Sequence, residues 1–546
     1  VYADEPKIDP PKIEKHIQEA IDGAKQAGNI AWVLISTGLV FLMIPGLALF
    51  YGGMVRRKNL LGTMMHSMVT LAIVGIQWIF LGYSLSFGTS MGGYIGWDWE
   101  FVGLRDTLST KTFPGTDIPI FLHCMFQAMF AIITPALISG AFAERVRFAP
   151  YCVFILLWTT LVYDPLAHWV WAMGVDPNDP AKAVAAGWLG KMGALDFAGG
   201  TVVHIAAGLS GLAAVLVLKK RTGYPEHAIH PNSMVLTLLG AGLLWFGWFG
   251  FNGGSALASN TTAVSALTVT QIAASAAALV WMVVEWVHRG KPTALGFASG
   301  VVAGLVAITP ASGTCGPLGA TCIGAAAGLI CYIMVAIKPL LRYDDSLDAF
   351  GIHGIGGFLG AVLTGVFAME ASLAVESAGA KDRIGQIVVQ LMAAGVACAY
   401  SFAVTIVLVK AIDIVMGFNS TPEGETEGLD RTEHGEVAFD FGTQLDSFAV
   451  AEPRAATAPP DGSERRFTVV VDGPSAPEIR QAWNALCQAG TAPPTADFKA
   501  VYPYVTTMRG NRFRFRGGDP RILREQLQRL LQDRLNGSAV RTYVEN

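Results

Sequence analysis

Charge is scarce in this chain. Only 15% of its 546 residues are Asp, Glu, Lys or Arg, while 52% are hydrophobic. That balance excludes an ordinary water-soluble domain, in which about a quarter of the residues carry charge. Cysteine is scarce as well: there are seven, at no metal or redox spacing, and most lie inside apolar runs. No catalytic constellation stands out, so an enzymatic reading has nothing to rest on. The net charge of −4 decides little. Glycine is abundant, at 61 residues, as expected where membrane helices pack through small side chains.

Long apolar runs organise the first three quarters of the chain. Eleven reach the roughly 20 residues that a bilayer core of about 30 Å demands. They fall near 30–51, 63–87, 119–142, 148–172, 197–218, 231–251, 260–286, 294–311, 318–338, 352–369 and 384–413. Basic residues follow the odd-numbered runs: Arg56, Arg57 and Lys58; Arg145 and Arg147; Lys219, Lys220 and Arg221; Arg289 and Lys291; Lys338 and Arg342. By the positive-inside rule those loops are cytoplasmic, which predicts an inner-membrane protein with its N-terminus outside and C-terminus inside. Residues 1–28 read as an exposed extracytoplasmic arm with a short amphipathic piece. Residues 1–3 resemble the end of a signal-peptidase site.

Two polar stretches interrupt the apolar pattern. Asp196 to Gly208 reads DFAGGTVVHIAAG, and Asp345 to Gly357 reads DSLDAFGIHGIGG. In both, an Asp precedes a His by eight residues: Asp196 with His204, and Asp345 with His353. At 1.5 Å per residue, His204 lies about 12 Å along its helix from Asp196, and His353 about 7 Å from Asp348. The two helices run in opposite directions, so both histidines approach the middle of the membrane from opposite faces. Runs 1–5 and 6–10 then form a 5+5 inverted repeat, with the eleventh added, and the repeat interface is where such folds place their binding sites.

Titratable groups inside a bilayer are costly and usually functional. A metal site needs three or four ligands, and no Cys, Asp or Glu is spaced to join this pair, so no metal is expected. The pair is expected to be neutral or to share a single proton, lining one pore. Asp196 is placed to cap its helix, or to steady a cation at the pore mouth, or both.

A set of motifs now carries a resemblance. FYGGMVRRKN (50–59), FQAMFA (126–131), GAFAERVRF (140–148), AHWVW (167–171) and DFAGGTVVHI (196–205) resemble the ammonium transporter (Amt/Mep/Rh) family. WFGFNGGS (248–255), GKPTALG (290–296), TPASG (309–313), FGIHGIGG (350–357) and EGLDRTEHGEVAF (427–439) continue the match in order. Trp171 and Ser255 favour the Amt branch. The resemblance implies ammonium transport, no cofactor, a homotrimer and a cytoplasmic regulatory tail. It implies that Phe126, Trp171 and Ser255, with Asp196 beneath them, recruit NH4+. Phe130 and Phe251 would form a stacked gate, and His204 and His353 a twin-histidine pore. The chemistry agrees: aromatic faces attract cations, and a dry gate strips water from ions that receive no equivalent partners.

The resemblance ends near residue 442. The transporter domain is expected over 29–414, a polar and acidic regulatory tail over 415–442, and an Ala/Pro/Ser-rich linker over 443–464. Residues 465–546 read β-α-β-β-α-β, which predicts a small ferredoxin-like α+β domain in the cytoplasm. That piece is basic, and Arg512, Arg514 and Arg516 alternate with Phe513 and Phe515. Three guanidiniums on one strand face would suit a phosphate-bearing ligand or an acidic partner, and equally a solvated surface. A PII-like regulator is a further expected partner; nucleic acid is not. Two functions therefore stand side by side: a channel-like transporter, and an ammonium sensor that signals through the appended domain.

Overall fold

A computed structural model describes residues 10–176, 178–225, 230–369 and 382–439, and in the C-terminal region 466–472, 474–488, 501–509, 511–516, 519–535 and 540–545. The expected end of a signal peptide and the linker over 443–464 lie outside these residues. The chain divides into two compact units, 1–439 and 440–546.

The first unit is an all-α polytopic bundle. Among the described residues, eleven helical spans are long and apolar enough to cross a bilayer: Glu14–Met54, Arg57–Phe87, Ile120–Ile138, Phe148–Trp171, Gly200–Val217, Met234–Gly254, Thr261–Arg289, Ala294–Ala311, Pro317–Leu341, Phe350–Phe367 and Arg383–Met416. Their order follows the hydropathy of the sequence. The first departs at its start, because its helix runs unbroken from Pro10 to Met54. The N-terminal arm is thus a helical extension of the first span, exposed along residues 14–25. Good helix formers over 14–27, with Pro10 and Pro11 confined to the first turn, give the helix no reason to stop. Short hairpins occupy two of the loops: β1 (Thr89–Met91) pairs with β2 (Ile95–Trp97), and β3 (Met173–Asp176) with β4 (Asp179–Ala185).

Two pairs bear on the histidines. The first span lies along the sixth, and the fifth crosses the tenth. The second crossing is close enough to exclude side chains. A Cβ on Gly357 would come within 2.9 Å of the His204 Cβ, and one on Gly208 would strike the Gly354 backbone. Small residues are what let the two histidine-bearing helices touch.

At the charged end of the bundle the loops are tied by buried ions. Asp344 accepts from Arg145 at 2.5 Å and from Arg221 at 2.5 Å, with Arg145 and Asp344 almost fully buried. Burial alone would raise the Asp344 carboxyl; the Arg221 and Arg145 guanidiniums outweigh it and hold the group below its ordinary value. The tail packs onto the same end through two short helices, Pro422–Glu427 and Leu429–His434. Asp430 Oδ1 accepts from Gly62 N at 2.8 Å, Asn59 Oδ1 from Leu429 N at 2.8 Å, and Glu433 Oε2 from Phe148 N at 2.9 Å.

Replacing Asp344 with Asn leaves Arg145 buried without a counter-charge, and is expected to cost about 3–5 kcal/mol at pH 7. Because the folded carboxyl titrates below its unfolded value, this stabilisation is present above about pH 4 and fades as pH falls through the folded value. Melting of the wild type and Asp344→Asn in detergent across pH 3 to 7 should show the two curves converging at the acid end.

The second unit holds a four-stranded antiparallel sheet. Strands β5 (Arg466–Asp472), β6 (Val505–Arg509), β7 (Arg512–Arg516) and β8 (Arg541–Glu545) lie in the order β6-β7-β5-β8. Helices Ala476–Gln488 and Pro520–Arg534 follow β5 and β7, which gives the element order read from the sequence. Strand β6 is shorter than expected, because Tyr502–Tyr504 form a 3-10 turn before it. Val469, Val471, Phe513 and Phe515 join Ile479, Leu523 and Leu527 in one core. The alternation of β7 leaves Arg512 and Arg514 exposed, with Arg512 paired to Glu545 at 3.0 Å. Asp519 caps the second helix, accepting from Arg521 N at 2.8 Å.

Candidate functional site

Both histidines sit on distorted turns. His204 lies in a π-helical stretch, Gly200–Ile205, and His353 in another, Phe350–Gly354. A π-turn widens the helix locally and is often found at functional positions. Each stretch is fixed at its start by a carboxylate. Asp196 Oδ1 accepts from Gly199 N (2.8 Å) and Gly200 N (2.7 Å), and its Oδ2 from Thr201 N (2.8 Å) and Val202 N (3.1 Å). Asp345 accepts from Ala349 N at 3.0 Å and Phe350 N at 2.8 Å. The Asp-to-His spacing shared by the two sequences is thus a pair of like caps, each holding an imidazole at the same remove.

Asp196 is 7% exposed, so all four of its bonds are made away from water. Burial raises its carboxyl, and the backbone N–H groups pull the other way. Its backbone carbonyl also accepts from Trp171 Nε1 at 2.7 Å, which sets the plane of that indole.

A continuous file of rings leads from Trp171 to His353. Trp171 meets Phe130 edge-on at 6.1 Å between centroids, and Phe130 meets Phe251 at 4.2 Å. Phe251 lies 6.1 Å from the His204 ring, which is stacked at 5.4 Å on His353. The two Nδ1 atoms are 3.4 Å apart. Trp248 also stacks on His204 at 5.4 Å and is held by a bond to Thr309 Oγ1 at 2.9 Å.

Two cavities flank the phenyl pair. The outer, of about 130 Å³, is lined by Trp171, Phe130, Ser255, Gln127, His123 and Phe113 among others. The inner, of about 10 Å³, lies beside the two imidazoles and is otherwise walled by apolar groups such as Leu47, Ile133, Val203 and Leu244. It has room for about one water-sized molecule. Phe130 contributes to the outer cavity, Phe251 to the inner, and their rings close the way between.

The site residues expected from the sequence are distributed as follows. Trp171 and Ser255 line the outer cavity together. Ser255 Oγ donates to Phe251 O at 2.8 Å, so its lone pairs remain to accept. Phe126 is fully buried, meets Phe130 edge-on at 5.0 Å between centroids, and is not among the residues that line the outer cavity. Asp196 stands behind Trp171, engaged with the backbone.

Sequence reasoning passed over Trp248, although its spacing to Phe251 and Ser255 places all three on one helix face. It also passed over Gln127 and His123. The His123 ring stacks on Phe113 at 3.7 Å and bonds Tyr83 through Nδ1 at 3.0 Å. For these two the only signal was two polar residues in an otherwise apolar run.

As neutral rings, the two imidazoles can share one hydrogen between their Nδ1 atoms. The donor ring then offers a bare Nε2 and its partner an Nε2–H. Such a pair presents both an acceptor and a donor to a small polar molecule in a dry channel. A hydrated cation finds neither the room nor the oxygen ligands to replace its water.

Comparison with known proteins places these features. Residues 31–439 match the Ammonium Transporter Family. The chain is 45% identical over 413 residues to the ammonium transporter Amt1 of Archaeoglobus fulgidus, covering 76% of this chain and 99% of that protein. Among solved structures, a sensor Amt protein aligns with a TM-score of 0.69 at 29% identity, over 76% of this chain and 100% of that one. Saccharomyces cerevisiae Mep2 aligns with a TM-score of 0.65 at 36% identity, over 73% and 88%.

Proposed function

This chain belongs to the Ammonium Transporter Family, and from that premise we propose how its first unit carries ammonium across the membrane. It is a transporter rather than an enzyme. Ammonium gathers in the outer cavity against the faces of Trp171 and Phe130, with Ser255 accepting one N–H. Cation–π attraction of this kind reaches about 2 kcal/mol when desolvated. At the Phe130–Phe251 gate the ion must part with its water, and the imidazoles of His204 and His353 then guide the nitrogen while the proton is handled separately. Asp196 shapes the mouth by fixing Trp171 and the first turn of the fifth span. The observation that carries this reading is the unbroken ring file ending on two facing imidazoles.

The wider architecture is read in the same terms. The like caps on the fifth and tenth spans, and the pairing of the first span with the sixth, support an inverted 5+5 repeat. The loop charges support an inner-membrane orientation with the N-terminus outside and the tail in the cytoplasm. A homotrimer follows from family membership. The strand order of the second unit supports a ferredoxin-like domain with a regulatory role, served by a PII-like protein or a phosphate-bearing ligand.

Full-length protein in proteoliposomes should give an ammonium-dependent current or take up methylammonium. Folded protein that does neither would end this account of the first unit.

A specific observation favours a second reading, in which the same unit also reports ammonium. One of the aligned structures is titled a sensor Amt protein, and this chain carries a second folded unit after its transporter part. Hydrogen exchange with and without ammonium separates the two: a sensor alters protection over 466–545, and a transporter alone leaves it unchanged.

A further inference from the structure

Four π-turns interrupt the spans among the described residues, and two of them carry no histidine. These two are Trp78–Gly82 in the second span and Thr159–Tyr163 in the fourth, and they touch. Gln77 precedes the first and Asp164 follows the second. Both side chains are buried, at 6% and 0% exposure. Gln77 Nε2 donates to Asp164 Oδ2 at 2.7 Å and to Thr160 Oγ1 at 3.1 Å. A carboxyl group inside a bilayer is costly and is usually there for a function. The ring file from Trp171 to His353 makes no use of this one.

The pair is one hydrogen short. Gln77 Oε1 and Asp164 Oδ1 are both buried, and no donor among the described residues reaches either. Both crowd the Gly82 backbone: a Cβ there would come within 2.8 Å of Gln77 Oε1 and 3.1 Å of Asp164 Oδ1. Exchanging the amide nitrogen and oxygen does not cure the deficit. An oxygen would then stand 2.7 Å from Asp164 Oδ2 with no hydrogen between them. Asp164 also meets no Lys or Arg side chain among the described residues. A carboxylate so placed would lack both a counter-charge and enough donors. A hydrogen on the carboxyl group satisfies both orphaned oxygens at once: Oδ1–H donates to Oε1 while Nε2–H donates to Oδ2.

We propose that Asp164 is a neutral carboxylic acid, closed with Gln77 into a cyclic acid–amide pair that positions Trp171 at the outer cavity. Asp164 opens the helix Asp164–Trp171, and Trp171 stands two turns further along the same face, about 10 Å away. Between them, His168 Nδ1 bonds Ser86 O of the second span at 2.9 Å. The acid–amide pair thus anchors the end of this helix farthest from Trp171. The positioning role rests on the reading of the first unit as an ammonium transporter; the hydrogen on Asp164 does not.

The test combines infrared spectra and ammonium-evoked currents of the full chain in liposomes, for the wild type, Asp164→Asn and Gln77→Leu. At neutral pH the wild type should show the C=O stretch of a protonated carboxylic acid. Asp164→Asn should remove that band, and Gln77→Leu should move it to higher frequency by taking away both hydrogen-bond partners. Asp164→Asn rebuilds the ring as a pair of amides, so KM for ammonium should stay within about twofold of wild type. Gln77→Leu opens the ring, and KM should rise about fivefold with maximal current within about twofold. Spectra of wild type and Asp164→Asn with no acid band between them, as for a carboxylate bridged by water, overturn the proposal. So does an acid band that Gln77→Leu leaves in place, and this arm stands where Asp164→Asn fails to reconstitute. A wild-type KM in Gln77→Leu, or an equal rise in Asp164→Asn, overturns the positioning role. A wild type with the band but no ammonium current would instead overturn the transport reading, and the positioning role with it.

Discussion

Replacing His204 with Ala is expected to cut the ammonium-evoked current roughly 100-fold, as losing a hydrogen-bonding partner for a desolvated permeant costs about 2–3 kcal/mol. The ring is 1% exposed and lies between Trp248, Phe251 and His353. Removing it does two things at once. It strips the narrow inner cavity of one of its two polar groups, and it leaves His353 Nδ1 without its neighbour. It also opens space, at a packing cost of about 2–4 kcal/mol, which a large bundle survives. His204→Leu separates these effects, since it refills much of the space with no nitrogen. If His204 conducts, His204→Leu stays as inactive as His204→Ala while melting closer to wild type. If His204 is only a packed core residue, His204→Leu recovers the current. His353→Ala should repeat the loss from the other side of the pair.

The second large effect is structural at root. Asp196→Ala removes the acceptor for four buried backbone N–H groups, Gly199 through Val202. Each such group left unpaired costs about 1–3 kcal/mol, so the sum is on the order of 5 kcal/mol or more. The variant should yield little folded protein, or melt far below wild type in detergent. Asp196→Asn keeps one carbonyl oxygen, which can serve about half of those bonds, and should fall between the two. It also separates capping from charge. If the carboxylate steadies the cation at the mouth, folded Asp196→Asn shows a raised KM for ammonium. Should Asp196→Asn melt lower yet keep the wild-type KM, the residue only builds the turn.

These two predictions meet at residues that the sequence marked clearly. A lone His in an apolar run preceded by Asp at a fixed distance, twice over, was enough to pair His204 with His353. Eleven spans were equally legible, because a lipid-facing helix must be apolar along its whole length. The order of strands and helices in the second unit was legible for a different reason: its turns, and the Asp519 cap, are written in local residues.

What escaped depends on three-dimensional closeness. Nothing in Gly200 to Ile205 announces a π-turn, since its cause is the four-way cap at Asp196 and the tight crossing at Gly208 and Gly357. Phe126 and Phe130 look alike in sequence, being two aromatics one turn apart. Only packing shows that Phe130 lines the cavity while Phe126 packs against it and does not. Gln127 read as one polar residue in an apolar helix, and only the fold shows that it lines the outer cavity. The arm before the first span read as separate because its polarity changes there. Polarity marks where a helix leaves the membrane and says nothing about where it ends.

The central claim is that a dry, ring-lined path ending on two imidazoles passes a permeant able to separate from its proton and refuses one that cannot. The most direct measurement compares currents evoked by equal gradients of ammonium and of potassium in proteoliposomes of the full-length chain. The account predicts a saturable ammonium current and no potassium current above that of empty liposomes. Potassium current comparable to that of ammonium would contradict it.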